Sequence, residues 1–417
     1  MERIEKQQVI IAGIGMGSTQ ILPGNVKDLL RESDCVIGAE RMLECARELA
    51  AATADCGEKT YFCEYSAEKT AAVIEAHGAC RQFLILMSGD PGFYSGAKAL
   101  RERLGWERYE IRTEPGVSSV SYLAARLNVS WEDAALVSLH GKEENFIRTV
   151  HRNRKTFLLL GGSQAGKYLL DGLREYRMEH VTVQIGRRLS YPDEEICCKG
   201  AKDLTEEDLS GLCTVLVENP GPCPASGPHV RDEAFIRGKV PMTKEEVRCV
   251  SIARLELDEN AVVYDVGAGT GSVSVEAALS GCRRVYAVEK NPEALELLRE
   301  NRRKFFADAI QIVPGNAPEV LADLEAPTHV FIGGSGGALK EILKAVLLKN
   351  PQVRIVINAA SLETLAEVTE AVKEGILENP EITQIQASRG KVLGEYHMMS
   401  GLNPVYIISA GGRSEEL

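Results

Sequence analysis

The run Val262-Val263-Tyr264-Asp265-Val266-Gly267-Ala268-Gly269-Thr270-Gly271 decides the class of fold. A β-branched strand enters a turn with three alternating glycines, after which Ser272-Val273-Ser274-Val275-Glu276-Ala277-Ala278 reads as an amphipathic helix. Glycine is needed where backbone turns tightly and approaches a ligand, and the helix N-terminus beyond it favours a negative group such as a carboxylate or phosphate. The dinucleotide fingerprint G-x-G-x-x-G would require glycine at 272, where Ser272 stands. Asp265, two residues before the first glycine, suits a ligand with a cationic amino-acid end.

Downstream, the strand Arg284-Val285-Tyr286-Ala287-Val288 ends at Glu289, 24 residues after Asp265 (289 − 265). That is about the distance over which a βαβ unit brings an acid onto a ribose diol. A third strand, Ile310-Gln311-Ile312-Val313, runs through Pro314-Gly315 into the polar turn Asn316-Ala317, at a spacing suited to an adenine edge. Upstream, a second series of alternating strands and helices begins at Val9-Ile10-Ile11-Ala12-Gly13 and passes through its own Gly13-Ile14-Gly15-Met16-Gly17. Both series predict parallel α/β sheets. The residues after the two glycine motifs differ too much for an internal duplication, since the first leads into a loop with Pro23 and Gly24.

Between the series lies Glu218-Asn219-Pro220-Gly221-Pro222-Cys223-Pro224-Ala225-Ser226-Gly227-Pro228. Its prolines exclude regular helix and remove ladder donors, which marks a linker. The expected division is a domain over 1–218, a linker over 219–230 and a domain over 231–417. Two or three domains are also what 417 residues imply, because one domain takes ~100–150.

The net charge of −12 divides evenly, with 27 Lys and Arg against 33 Asp and Glu in residues 1–225 and 21 against 27 in the remainder. Neither part carries the basic footprint of a non-specific nucleic-acid binder. Apolar runs such as Phe83-Leu84-Ile85-Leu86-Met87 fall far short of the ~18–20 residues of a membrane span. The start Met1-Glu2-Arg3-Ile4-Glu5-Lys6 lacks the apolar core of a signal peptide, so a cytoplasmic protein is expected. The 11 cysteines include no C-x-x-C pair, which points to reduced thiols and away from a metal or redox motif.

The ordered set Asp265, Gly267-x-Gly269-x-Gly271, Glu289 and Asn316-Ala317 resembles the class I S-adenosylmethionine (SAM) methyltransferases. After the next strand, His329-Val330-Phe331-Ile332-Gly333-Gly334-Ser335-Gly336-Gly337 stands where methylases of planar nitrogens carry an Asn/Asp-Pro-Pro-Tyr turn. An open, backbone-lined floor for a large flat ligand is expected instead. Together with Asp232 through Arg248, which contains Pro241-Met242-Thr243-Lys244, this half resembles the CbiT family of cobalamin biosynthesis. The resemblance places Thr243 at the SAM site; a capping box with Glu246 is an equally open reading of that threonine.

In the N-terminal half, Gly13-x-Gly15-x-Gly17 is followed by Ser88-Gly89-Asp90-Pro91-Gly92-Phe93-Tyr94 and Glu114-Pro115-Gly116-Val117-Ser118-Ser119. The set resembles the class III tetrapyrrole methylases, which implies SAM folded in a cleft between two α/β subdomains. Ser138-Leu139-His140-Gly141-Lys142, Arg188 through Glu195 and Val217-Glu218-Asn219-Pro220 narrow it to the CbiE branch. Met16 departs from the proline usual there and removes a stiffening ring from the first loop.

The two resemblances, over ~8–218 and ~228–410, stand in the order of the fused, decarboxylating precorrin methyltransferases. They imply one SAM per domain, held by Gly13, Gly15, Gly17, Ser88, Gly89, Asp90, Tyr94, Ser118 and Ser119 in the first. In the second the holders are Thr243, Asp265, Gly267, Ala268, Gly269, Thr270, Gly271, Glu289, Asn316 and Ala317. They also imply a precorrin or cobalt-precorrin substrate methylated at carbon 5 by the first domain and carbon 15 by the second, with loss of the carbon 12 acetate carboxylate. A homo-oligomer is implied as well. Candidate contacts for the substrate carboxylates are His140, Lys142 and Arg188 in the first domain and Arg231, Lys244 and Asn358 in the second. A buried, satisfied His140, a surface turn at Arg188 and Tyr191, and simple surface or capping roles for the others remain open. Methyl transfer to a ring carbon is an in-line displacement governed by positioning, and no catalytic triad, base or metal set stands out. Two further readings stay open: an RNA or protein substrate for the second domain, and a SAM-binding scaffold with one inactive domain.

Overall fold

The computed structural model describes residues 6–105, 107–140, 144–223, 227 and 229–412. The chain forms two compact units, the first made of Met1–Glu144 with Asn153–Pro222 and the second of Cys223–Leu417 with Asn145–Arg152.

The first unit holds β1 (Gln7–Gly13), β2 (Cys35–Gly38), β3 (Thr60–Cys63), β4 (Gln82–Met87), β5 (Tyr109–Glu114), β6 (Ala135–His140), β7 (Lys155–Gly161), β8 (Thr182–Arg187), β9 (Glu195–Gly200) and β10 (Cys213–Glu218). The first five strands make a parallel sheet in the order β3-β2-β4-β1-β5. Its central strands β1 and β4 are buried on both faces, as continuous apolar runs require. The other five form a second sheet, β6-β7-β10-β8-β9, in which only β6 and β7 run parallel. The unit is thus two α/β subdomains. Helix Ser119–Leu127 packs Val120 and Leu123 with Phe157 of β7 and Leu216 of β10.

The second unit holds β11 (Val262–Val266), β12 (Arg284–Glu289), β13 (Ile310–Pro314), β14 (His329–Ile332), β15 (Arg354–Ala359), β16 (Glu381–Ile385), β17 (Ser388–Leu393), β18 (Tyr396–Gly401) and β19 (Val405–Ala410). Seven strands form one sheet in the order β13-β12-β11-β14-β15-β19-β16, with β19 antiparallel to both neighbours and the rest parallel. Strand order reverses between β11 and β14, so a crevice opens beyond their carboxyl ends, the place where such sheets bind ligands. Apolar clusters cover both faces. β17 and β18 pair separately as a hairpin.

Two expectations change. The helix after the second glycine motif, Ser272–Leu279, is not amphipathic: Ser272 through Ala278 are all buried, and Ser274 and Glu276 bond inside the protein. Cysteines are not all free, since Cys35 in β2 and Cys80 just before β4 are joined in a disulfide with Cα atoms 6.7 Å apart. Parallel pairing of β2 with β4 aligns Cys35 with Phe83 and so brings Cys80 near it. Among the described residues, no helix is long and apolar enough to cross a membrane.

Candidate functional site

Each unit has its own cavity. In the second, a space of about 860 Å³ opens over the carboxyl ends of β11, β12, β14 and β15. Gly267, Ala268 and Gly269 line it beside Glu289, Asn316, Ala317 and Thr243. Gly267 has φ +74°, and a Cβ there would meet the Gly334 backbone at 2.8–3.0 Å, so glycine lets the β11 and β14 loops touch. The carboxylate of Glu289 accepts from Gly269 N at 2.8 Å through Oε2 and from Lys290 N and Asn291 N, both at 2.8 Å, through Oε1. These bonds fix the acid at the cavity wall, where it can accept from a diol.

Three of the expected SAM contacts, Asp265, Thr270 and Gly271, do not line the cavity. Asp265 is fully buried beneath the glycine turn; one carboxylate oxygen accepts from Ser274 Oγ, and the other has no partner among the described residues. Burial, with a smaller contribution from the charge of Glu289, pushes its carboxyl up to about 7. Thr270 is 1% exposed, and Gly271 makes room for Leu298, whose Cδ1 would lie 2.1 Å from a Cβ there. Among the substrate candidates, Lys244 and Asn358 reach the cavity, whereas the exposed Arg231 does not.

Thr243 is carried on a strap, 229–244, held by a buried ion cluster that the sequence does not advertise. Arg248 is fully buried and donates from Nε to Glu276 at 2.6 Å, from Nη1 to Asp232 at 3.0 Å and to the Thr243 carbonyl at 2.7 Å, and from Nη2 to the Val230 carbonyl. Arg389, from β17, adds bonds to Asp232 at 2.9 Å and Glu246 at 2.6 and 2.7 Å. Burial is the largest single influence on the Asp232 carboxyl and pushes it up, but the hydrogen bonds from both arginines, with the charge of Arg248, together outweigh it and hold the carboxyl below its usual range. The helix Glu245–Leu255 has no side-chain cap bond, so the capping-box reading of Thr243 is not met; Lys244 takes the N-cap position.

In the first unit a cavity of about 440 Å³ is lined by Ser88, Gly89, Asp90, Tyr94, Ser118, Ser119, His140 and Arg188. Lys142 lies outside the described residues. Gly13, Gly15 and Gly17, expected to hold SAM, do not line the cavity, although Met16 between them does. A Cβ on Gly13 would sit 2.5 Å from the Gly89 carbonyl oxygen and 2.8 Å from Gly116 Cα, so three loops meet backbone to backbone. Asp90 ties two of them, accepting from Gly92 N at 2.7 Å and Gly116 N at 3.1 Å. The loop at Met16 is pinned without proline: its carbonyl accepts from Tyr191 Oη at 2.6 Å and Arg41 Nη1 at 3.3 Å, while its side chain is buried. His140 is exposed rather than buried, and its ring occupies the space where Gly161 lacks a Cβ. Arg188 lies over the Tyr191 ring, 4.9 Å from its centroid, and pairs with Asp193 at 2.5 Å.

Sequence reasoning missed Arg41, which lines this cavity and donates to Ser88 Oγ at 2.8 Å, and the exposed Tyr65 beside it. Both stand just beyond strand ends, β2 and β3, where the parallel pattern alone points to ligand loops.

Residues 233–410 match the family model described as the precorrin methyltransferase domain, and residues 8–204 match that of the tetrapyrrole (corrin/porphyrin) methylases. A probable cobalt-precorrin-6B C(15)-methyltransferase (decarboxylating) of Pyrobaculum calidifontis is 47% identical over 191 residues, covering 45% of this chain and 97% of that protein. The chain belongs to the precorrin methyltransferase family. Within that family, the precorrin-6Y C(5,15)-methyltransferase [decarboxylating] of a Sinorhizobium species is similar along both halves, with 27% identity over 374 residues, 85% of this chain and 84% of the other. A solved structure titled precorrin-6y C5,15-methyltransferase, from Geobacter metallireducens, is 40% identical over 44% of this chain and 97% of its own, with a TM-score of 0.41.

Proposed function

We propose that this precorrin methyltransferase is bifunctional, with one SAM in each unit: the first methylates carbon 5 of a precorrin-6-type ring, and the second methylates carbon 15 and removes the carbon 12 acetate carboxylate. The observation that carries this reading is the pair of separate cavities, one per unit, each walled by the loops of a different methylase family.

The second cavity fits SAM: missing Cβ atoms at Gly267 and Gly269 leave backbone at its wall, and Glu289 stands beside them as an acceptor for a diol. Glu289, Asn316, Ala317, Gly269 and Thr243 would hold the donor there; Ser88, Gly89, Asp90, Tyr94, Ser118 and Ser119 would hold it in the first unit. SAM supplies a methyl group on an electron-poor sulfonium. The chain's own part is to place the ring carbon in line with that methyl and to exclude water, which the apolar lining by Met242, Val247, Ile385 and Val405 does. As the carboxylate leaves as carbon dioxide, its bonding pair enters the conjugated ring. The exocyclic carbon takes one proton, and the methylated ring carbon gives one up.

Gly333-Gly334-Ser335-Gly336 provides the open floor for a flat macrocycle. His140, Arg188 and Arg41 in the first cavity and Lys244 in the second are suited to its peripheral carboxylates. Assembly as a homo-oligomer is supported by the exposed Val392, Leu393, Tyr396, Met398 and Met399 on the β17–β18 hairpin. The even acidic balance disfavours a nucleic-acid partner, and the same reading places the enzyme in the cytoplasm. Incubating the chain with SAM and precorrin-6-type substrate, in metal-free and cobalt forms, tests it by mass spectrometry. The expected product has two added methyl groups and one lost carbon dioxide; no mass change with either form would overturn the reading.

A further inference from the structure

Asn358 closes the far side of the second cavity, at the end of β15 and away from Glu289. It is 9% exposed and lines the cavity, and its Nδ2, itself enclosed, has no partner among the described residues. Its other amide atom is taken: Oδ1 lies 3.0 Å from the hydroxyl of Ser251, a fully buried residue of helix Glu245–Leu255 that is also 2.8 Å from the Val247 carbonyl. Cavity residues Val247, Ile385, Ala387, Leu402 and Val405 are apolar. A buried amide donor left without an acceptor is costly to desolvate, and a ligand acceptor removes that cost.

We infer that Asn358 Nδ2 donates to the acetate carboxylate that the second unit removes, and that Ser251 is the positioning residue that turns the amide that way. The inference rests on the function proposed above. A neutral donor in apolar surroundings fits a carboxylate that must lose its charge. It orients the group by one hydrogen bond while leaving it less stabilised than an ammonium partner would, so the carbon–carbon bond is aligned with the ring without being protected from cleavage. Among the lining cations, Lys290 donates to Asn316 Oδ1 at 3.2 Å and Lys244 is exposed at the rim, which suits the carboxylates that are retained.

The test uses the full chain with Asn358→Asp, Asn358→Ser and Ser251→Ala. Carbon dioxide release, methyl transfer to each ring carbon and calorimetric affinity for S-adenosylhomocysteine are measured together. Asn358→Asp, which keeps the shape but opposes a carboxylate, is expected to slow carbon dioxide release about 10- to 100-fold. Asn358→Ser and Ser251→Ala should slow it less, about 3- to 10-fold, with a raised KM for the tetrapyrrole. Nucleoside affinity and methylation by the first unit should stay within about twofold of the unaltered chain, which also shows that the variants fold. Release at the unaltered rate by Asn358→Asp would overturn the inference, since an Oδ1 facing the cavity would tolerate the acid. So would a Ser251→Ala variant with unchanged KM and rate. If the unaltered chain itself releases no carbon dioxide, the proposed function fails first and is seen to fail separately.

Discussion

In the first unit the glycines of the first loop do not line the cavity, and Gly13 meets Gly89 and Gly116 backbone to backbone. In the second unit Gly267 and Gly269 form the cavity wall itself. The same spacing of three glycines therefore serves packing between loops in one unit, and both packing and the cavity wall in the other. A glycine motif read without its neighbours does not distinguish the two. The units also differ in what holds the ligand loops: Asp90, Arg41 and Tyr191 bond to backbone at the rim of the first cavity, whereas a buried arginine cluster anchors the strap of the second.

That difference is broken most strongly at Arg248. Arg248→Met leaves Asp232 and Glu276 as buried carboxylates short of a partner and should destabilise the second unit by about 3–5 kcal/mol. Urea unfolding should show an earlier transition for that unit, with first-unit methylation retained. Gly13→Val has the opposite address: overpacking three touching loops should cost the first unit about 3 kcal/mol and leave carbon 15 methylation intact.

The pH dependence sharpens the contrast further. Burial raises the Asp265 carboxyl to about 7, against about 4 in an unfolded chain. Between those values the folded unit holds a proton that the unfolded chain has released. The contribution of Asp265 to the stability of the second unit is therefore fully present below about pH 4, falls as pH rises to about 7, and is level above, over a span of up to about 4 kcal/mol. Asp265→Asn should flatten the curve, as unfolding midpoints measured across pH would show. The smallest effect is expected at Gly161→Ala. Its methyl group would displace the His140 ring, whose Nδ1 lies 1.7 Å from that position, and should reduce methylation by the first unit about 3- to 10-fold in steady-state assays, without altering the second.

The strands and the two-unit α/β architecture were legible because β-branched runs and glycine turns are local signals. Glu289 and Asn316, which line the second cavity, followed from their spacing after the glycine turn, whereas Asp265, singled out by its place before that turn, lies buried beneath it. What was not legible depends on distance along the chain. Ser251 meets Asn358 across 107 residues, and Arg389 meets Asp232 across 157. No periodicity carries such pairings. The helix Ser272–Leu279 misled for a related reason: alternating serines and a glutamate look like a solvated face, yet Ser274 and Glu276 point into the protein, where Asp265 and Arg248 are their partners. Cys35 and Cys80 came together only through the register of β2 against β4.

The most direct measurement counts methyl groups on the product when each cavity is disabled in turn, using Asp90→Ala for the first and Glu289→Ala for the second. The account predicts two methyl groups and loss of carbon dioxide for the unaltered chain. With Glu289→Ala it predicts a single methyl group and no loss of carbon dioxide, and with Asp90→Ala no methyl group at carbon 5. Two methyl groups and loss of carbon dioxide from the Glu289→Ala chain, at the unaltered rate, would contradict it.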